Sequence, residues 1–508
     1  MALGVAMRVM LGLGLAALAL ALAMTAPAWA AGAGAPPVAA GVSARFVEPD
    51  PQAPAGALPC YRPITDPARL ASLAGDLDNE AARWALDLYA RARAVAAARY
   101  GAAAQPAGYT IAIVPDGSSS AVGFRLRGAA GIEEHPRAAY VRLGPEAWRF
   151  AATLLHETGH VALAMLAGGR LVPRREIAAI PHTVAALTDR GTAFDEGFAT
   201  SLETLIAFVS DAPEIRRQYG HAQLLFGPAA GMRAEYFWPA AQLLTFAQPH
   251  ARYAAVRDDA FAFASAYKQA DYLRVQIEPA RDLATVRDAD QLLASEGFCA
   301  SFFFSVLARG ERPVTEGVVR AREGAVLVAL AETFATAPFD AEEPLLLDFL
   351  TTYRRLYPAD WGEVLDVFLD LSHGVFVDPG AAELWRAQYL AALALDLGRL
   401  RRERVDAARA RWHEAAAADP KVLYARIGPQ LRCEVAGRTV RLAGLDSDRP
   451  LSLDVNTAEE GVIRLVPGIT EAEVGSWMAQ RARQPFSSAA DFRARSGLTV
   501  RTLAQLSF

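Results

Sequence analysis

The residues best equipped for chemistry are His156-Glu157-Thr158-Gly159-His160, an HExxH sequence set in apolar surroundings, with Leu154-Leu155 before it and Val161-Ala162-Leu163-Ala164-Met165 after. On a helix, positions i and i+4 share a face, so His156 and His160 present two imidazoles to one cation. Zinc suits such a pair because it accepts neutral imidazole nitrogens and tolerates an open fourth position. Glu157 is one residue along, placed to act as general base on a metal-activated water. Eight histidines in 508 residues yield HExxH by accident in roughly one chain of 150. A third protein ligand is required. The extended pattern HExxHxxGxxH is absent, because Leu163 and Leu166 stand where it needs glycine and histidine. The best substitute is Glu196 in Phe194-Asp195-Glu196-Gly197-Phe198-Ala199-Thr200, far enough along for a second helix to return beside the first. A rival is Glu296 in Ser295-Glu296-Gly297-Phe298-Cys299-Ala300, which echoes that segment at a much longer distance.

On these two motifs the chain resembles the gluzincin metallopeptidases, whose pattern is HExxH followed by a helix bearing a zinc-binding Glu, often as NEG or DEG. The resemblance implies His156, His160 and Glu196 as zinc ligands, Glu157 as general base, and a peptide or protein substrate. It covers about 50 residues. Thr200 departs from it, standing where thermolysin-like enzymes carry an aspartate that orients a ligand histidine; Asp195 or Glu203 is the available replacement. The family commonly stabilises its oxyanion with a Tyr or His beyond the third ligand. Here Tyr219, His221, Tyr236, Tyr267 and Tyr272 are open candidates, and His182 is a candidate cleft residue.

The elements that must position these groups are mostly helical. An alanine-rich pattern over 78–100 with Trp84, Leu86 and Leu88 predicts a helix, 109–114 and 139–143 predict short strands, and most of 145–418 reads as helix. A charged stretch over 384–418 reads as a solvated or connecting helix pair. The fold class expected is α+β, mostly α: a zincin-like body over 60–420 with a small sheet, a β-hairpin connector over 421–452 around Ala436-Gly437, and an all-α domain over 453–508.

In that last domain Asn456-Thr457 reads as a helix cap, Pro467-Gly468 as a tight hairpin, and Ala472, Trp477 and Met478 as one face of a second helix. The segment resembles the helix-hairpin-helix family, especially the copies in competence DNA receptors and in minor pseudopilins of type II secretion. DNA-binding copies use a hairpin like PGIG. Thr470 replaces its second glycine, and Glu471 and Glu473 oppose a phosphate, whereas Arg481, Arg483, Arg493 and Arg495 keep DNA in view. A protein partner in the envelope is therefore favoured over DNA.

Composition sets the frame. The chain is 53% hydrophobic and 21% charged, which excludes a disordered or collagen-like protein, and its net charge of −5 gives no global pull toward nucleic acid. Residues 1–30 have the n-, h- and c-regions of a signal peptide ending at Ala28-Trp29-Ala30, followed by an Ala/Pro/Gly-rich linker over 31–59. No later stretch reads as a membrane span, so a periplasmic or secreted location is expected. Cys60, Cys299 and Cys433 admit one disulfide, with the pairing unreadable. The expectation is an exported zinc metallopeptidase. The alternative is a non-catalytic envelope or secretion-associated binding protein working through its C-terminal module.

Overall fold

A computed structural model describes residues 43–101, 108–115, 117–145, 152–174, 187–210, 212–215, 287–309, 315–381, 383–384, 399–435, 452–458, 463–464 and 466–508. The signal segment lies outside these residues, as do Tyr219, His221, Tyr236, Tyr267, Tyr272 and His182.

Alternating strands build a small closed barrel from β1 (Ala44–Pro49), β2 (Cys60–Pro63), β3 (Tyr109–Ile113), β4 (Ser119–Gly128) and β5 (Gly131–Leu143), in the order β1-β2-β4-β5-β3. β1–β2 and β4–β5 are antiparallel; β1–β3, β2–β4 and β3–β5 are parallel. The period of two sorts the side chains. Val47, Tyr61, Ala112, Phe124 and Tyr140 fill the barrel, where the Tyr61 and Tyr140 hydroxyls meet at 3.2 Å. Their neighbours Ile111, Ala139 and Val141 point outward into the helical core. β1 falls inside the stretch read as a linker. Its Ala/Pro/Gly-rich flanks mask a strand whose Val47 is fully buried.

The helices α1 (Pro67–Asp76) and α2 (Glu80–Tyr100) start at Asp66 and Asn79, whose side chains accept backbone N–H groups of the first turn. α2 buries Trp84, Leu88 and Tyr89 against the barrel and α3 (Thr153–Leu166). Then come α4 (Arg190–Val209), α5 (Ala289–Leu293), α6 (Glu296–Ala308), α7 (Glu316–Thr336), α8 (Leu345–Leu356), α9 (Trp361–Ser372) and α10 (Arg399–Ala418). An aromatic seam joins them: Phe198 of α4 meets Phe303 of α6 edge-to-face at 5.2 Å, and Phe302 meets Phe349 of α8 at 6.1 Å. Each such ring, fully buried, contributes about 1.5–3 kcal/mol. A buried Arg91–Glu323 pair at 2.5 Å ties α2 to α7.

The C-terminal module differs from expectation. β6 (Arg432–Val435) pairs antiparallel on one side with β7 (Ser452–Asp454) and on the other with β8 (Leu506–Ser507), so the domain holds a small sheet and is not all-α. The return arm of the expected hairpin lies outside the described residues, and both edges of β6 already have partners. Cys433 and Val435, placed in the connector by sequence, share a core with Trp477, Phe486 and Phe492 of the module. Its helices are α11 (Glu471–Arg483), α12 (Ala489–Arg495) and α13 (Val500–Leu503). Asn456 is a cross-tie: its side-chain amide donates to Pro429 O and Phe486 O and accepts from Phe486 N, and most of the helix it was expected to cap lies outside the described residues.

The module is joined to the body by polar contacts. Arg481 Nε lies 3.3 Å from Asp288 Oδ2, Arg426 donates to Ala482 O, and Gly428 N donates to Asp290 Oδ2. Arg190, the first residue of α4, binds Asp290, Glu342 O and Gly428 O. All three cysteines are buried free thiols in separate elements. No described helix is long and apolar enough to cross a membrane.

Candidate metal centre

Glycine decides how closely the two motif helices approach. A Cβ at Gly159, inside the HExxH motif on α3, would stand 2.9 Å from Ala199 Cα of α4. On the opposite side, a Cβ at Gly197 would stand 2.5 Å from Cys299 Cβ and 2.9 Å from Ala300 N of α6. α4 is thus wedged between α3 and α6, and the two similar segments around Glu196 and Glu296 pack on each other. Thr158 fixes α3 from behind. Its hydroxyl donates to Leu154 O and receives the Tyr109 hydroxyl of β3 at 2.7 Å.

This packing brings together the groups expected from sequence. His156 Nε2 and His160 Nε2 are 3.3 Å apart, and Glu196 Oε2 lies 3.3 Å from His160 Nε2 and 3.5 Å from His156 Nε2. Among the described residues these three form the one group of His, Cys, Asp or Glu side chains arranged to hold a metal ion. A tetrahedral zinc with ligands at about 2.0–2.1 Å sets its ligand atoms roughly 3.3–3.4 Å apart, so the donor set and its spacing fit that ion.

Each imidazole has a carboxylate behind it. His160 Nδ1 donates to Asp195 Oδ1 at 2.8 Å, which leaves Nε2 facing the centre. His156 Nδ1 lies 3.5 Å from Glu203 Oε2, two helical turns beyond Glu196 on the same face of α4. Both residues offered in place of the missing aspartate at Thr200 therefore stand behind a histidine. Thr200 itself donates to Glu296 Oε1, which leaves Glu296, the rival ligand, engaged with α4 and outside the triangle. Glu157 is buried next to His156.

Arg174 was invisible in the sequence. It lies in the loop after α3, one of 49 arginines, with no motif around it. Its Nε lies 2.8 Å from Asp195 Oδ2, to which Nη2 also donates, and its Nη1 donates to Glu196 Oε1 at 2.6 Å.

The electrostatics follow from this crowding of carboxylates. Burial opposes charge on His160, but Asp195 and Glu196 outweigh it and raise its pKa to about 9. His156 is raised in the same way, with Glu196 and Glu203 outweighing burial. Burial works against the charge of Glu196 as well, and the two imidazoles and Arg174 hold its pKa well below the carboxylate range. The centre is a buried, negatively biased site.

Comparison with known proteins bears on the other end of the chain. Residues 453–507 match the family model of Type II secretion system (T2SS), protein K. That is 55 of 508 residues, and it falls on the module already likened to minor pseudopilins. No curated protein and no solved structure matches the chain. Within the module, two of the arginines that favoured DNA, Arg481 and Arg495, are engaged internally, whereas Arg483 and Arg493 stay exposed. Arg481 donates to Ala458 O, Arg493 sits over the Phe508 ring, and Arg495 binds Asp491. Glu473 Oε1 accepts from Thr499 N and Thr502 Oγ1 at the start of α13, so an internal carboxylate occupies those donors.

Proposed function

We propose that the protein is an exported zinc-dependent peptidase whose C-terminal module docks it to a protein of the secretion envelope. The observation that carries the catalytic half is the triangle of His156 Nε2, His160 Nε2 and Glu196 Oε2 with Glu157 adjoining it. Zinc bound there would polarise a carbonyl and lower the pKa of water. Glu157 would take up the proton of the attacking water and return it to the leaving amine. Asp195 holds the His160 ring and its tautomer.

The test is zinc content together with hydrolysis of a mixed peptide library by the purified protein, beside Glu157→Gln. The expected outcome is near one zinc per chain in both and turnover lowered by about 10²–10⁴-fold in the variant. A wild type that holds no zinc after reconstitution would end the peptidase reading.

A second reading is supported by the family match over 453–507: a secretion-associated binding protein that performs no chemistry. Zinc bound without turnover on any peptide, together with retention of a secretion-envelope partner that is lost on removing the module, would favour it.

A further inference from the structure

We infer that Arg174 is a positioning residue that decides which oxygen of each of two adjacent carboxylates faces the metal centre, an inference that rests on the zinc reading of that centre. Its planar guanidinium has donors in a fixed fork, suited to two acceptors at once. One prong, Nε with Nη2, binds Asp195 Oδ2 and leaves Oδ1 for His160 Nδ1. The other, Nη1, binds Glu196 Oε1 and leaves Oε2 to the corner shared with both histidines. With Oε1 held in this way, Glu196 offers a single oxygen to the centre.

Electrostatics call for the same group. Asp195 and Glu196 are neighbours in sequence and 2% and 4% exposed, so two like charges lie side by side out of water. Arg174 is the cation placed against both, and its side chain is partly open to solvent, so binding it does not bury a third charge completely.

The backbone is shaped to deliver it. The chain at Pro173 crosses the first turn of α4 so closely that a Cβ at Gly191 would run into the Pro173 carbonyl. Only glycine fits under that crossing, which places Arg174 one turn before the carboxylates it binds.

The test replaces zinc by Co²⁺ in the full-length wild type, Arg174→Met and Arg174→Lys, and reads the visible absorption of the bound ion, which is intense in a four-coordinate site and weak at higher coordination number. Expected is an intense band in the wild type and a several-fold weaker one in Arg174→Met, where Glu196 is free to offer both oxygens. Arg174→Lys, with the charge but no fork, falls between them. Spectra of both variants that superpose on the wild type overturn the inference and leave the metal site standing. Should Arg174→Met lose its cooperative thermal transition, the lysine variant decides alone by the same criterion. A wild type that takes up no Co²⁺ or Zn²⁺ overturns the metal site and the inference together.

Discussion

At the scale of single residues, two carboxylates share the work around His160 in different ways. Glu196 faces the centre and Asp195 stands behind the ring, although they are adjacent in sequence. On a helix, adjacent residues are separated by about 100°, so they reach opposite nitrogens of one imidazole only because the ring stands across the gap between them. Asp195→Asn tests this arrangement. The amide keeps the shape but sets an NH2 donor against either Arg174 or His160, each of which needs an acceptor there. Zinc affinity measured by chelator competition should fall by about 10–100-fold. Unchanged affinity would mean the His160 ring is held by packing alone.

At the scale of elements, the site depends on three helices packed at glycine. Gly159 lets Ala199 approach, Gly197 lets α6 approach, and the face of α4 between them carries Glu196 toward α3. Gly159→Val should push α4 away from the imidazoles. We expect a stability loss of about 1–3 kcal/mol in denaturant titration, together with loss of bound zinc. A variant that is destabilised yet holds zinc normally would show that the triangle does not depend on this spacing. In the module, Glu473 works as a structural knot. It completes the capping box of α11 with Thr470 and also accepts from Thr499 and Thr502, bonds that hold its pKa at about 2 against 4.5 for a free glutamate. A carboxylate depressed in the folded state stabilises above its unfolded pKa and loses that contribution as pH falls through the folded one. Glu473→Gln should therefore cost roughly 1–2 kcal/mol near neutrality after solvent screening, with the gap to wild type closing between about pH 4.5 and 2. Equal unfolding midpoints at pH 7 would contradict the assignment.

At the scale of the molecule, the module is seated on the helices that frame the site. Arg481, 3% exposed, meets Asp288 at the start of α5, and Arg190 binds the connector from the first residue of α4. A double-mutant cycle on Arg481→Ala and Asp288→Ala, read by global unfolding, should give a coupling of about 1–3 kcal/mol. The cycle removes the separate cost of losing the Asp288 cap on α5. A coupling near zero would mean that the module hangs from its connector.

The HExxH spacing, the returning Glu196 and the apolar face around them are local patterns, and local patterns can be read because helical periodicity maps sequence onto a face. Strands at 109–114 and 139–143 were legible as short runs rich in β-branched, aromatic and other apolar residues. The helix-hairpin-helix likeness was legible because its turn residues sit at fixed offsets, and the family match falls on that segment. Tertiary structure alone decided the rest. Arg174 reaches Asp195 and Glu196 from a loop with no pattern of its own, and Asn456, which reads as a cap, binds Pro429 and Phe486 across the module. β1 hid among Ala, Pro and Gly because its parallel partner β3 is distant in sequence, and β6 joined the module's core because β7 and β8 close on its two edges. A contact between residues far apart in the chain leaves no periodic trace in either of them. Its energy comes from desolvation and geometry that exist only once both segments are in place.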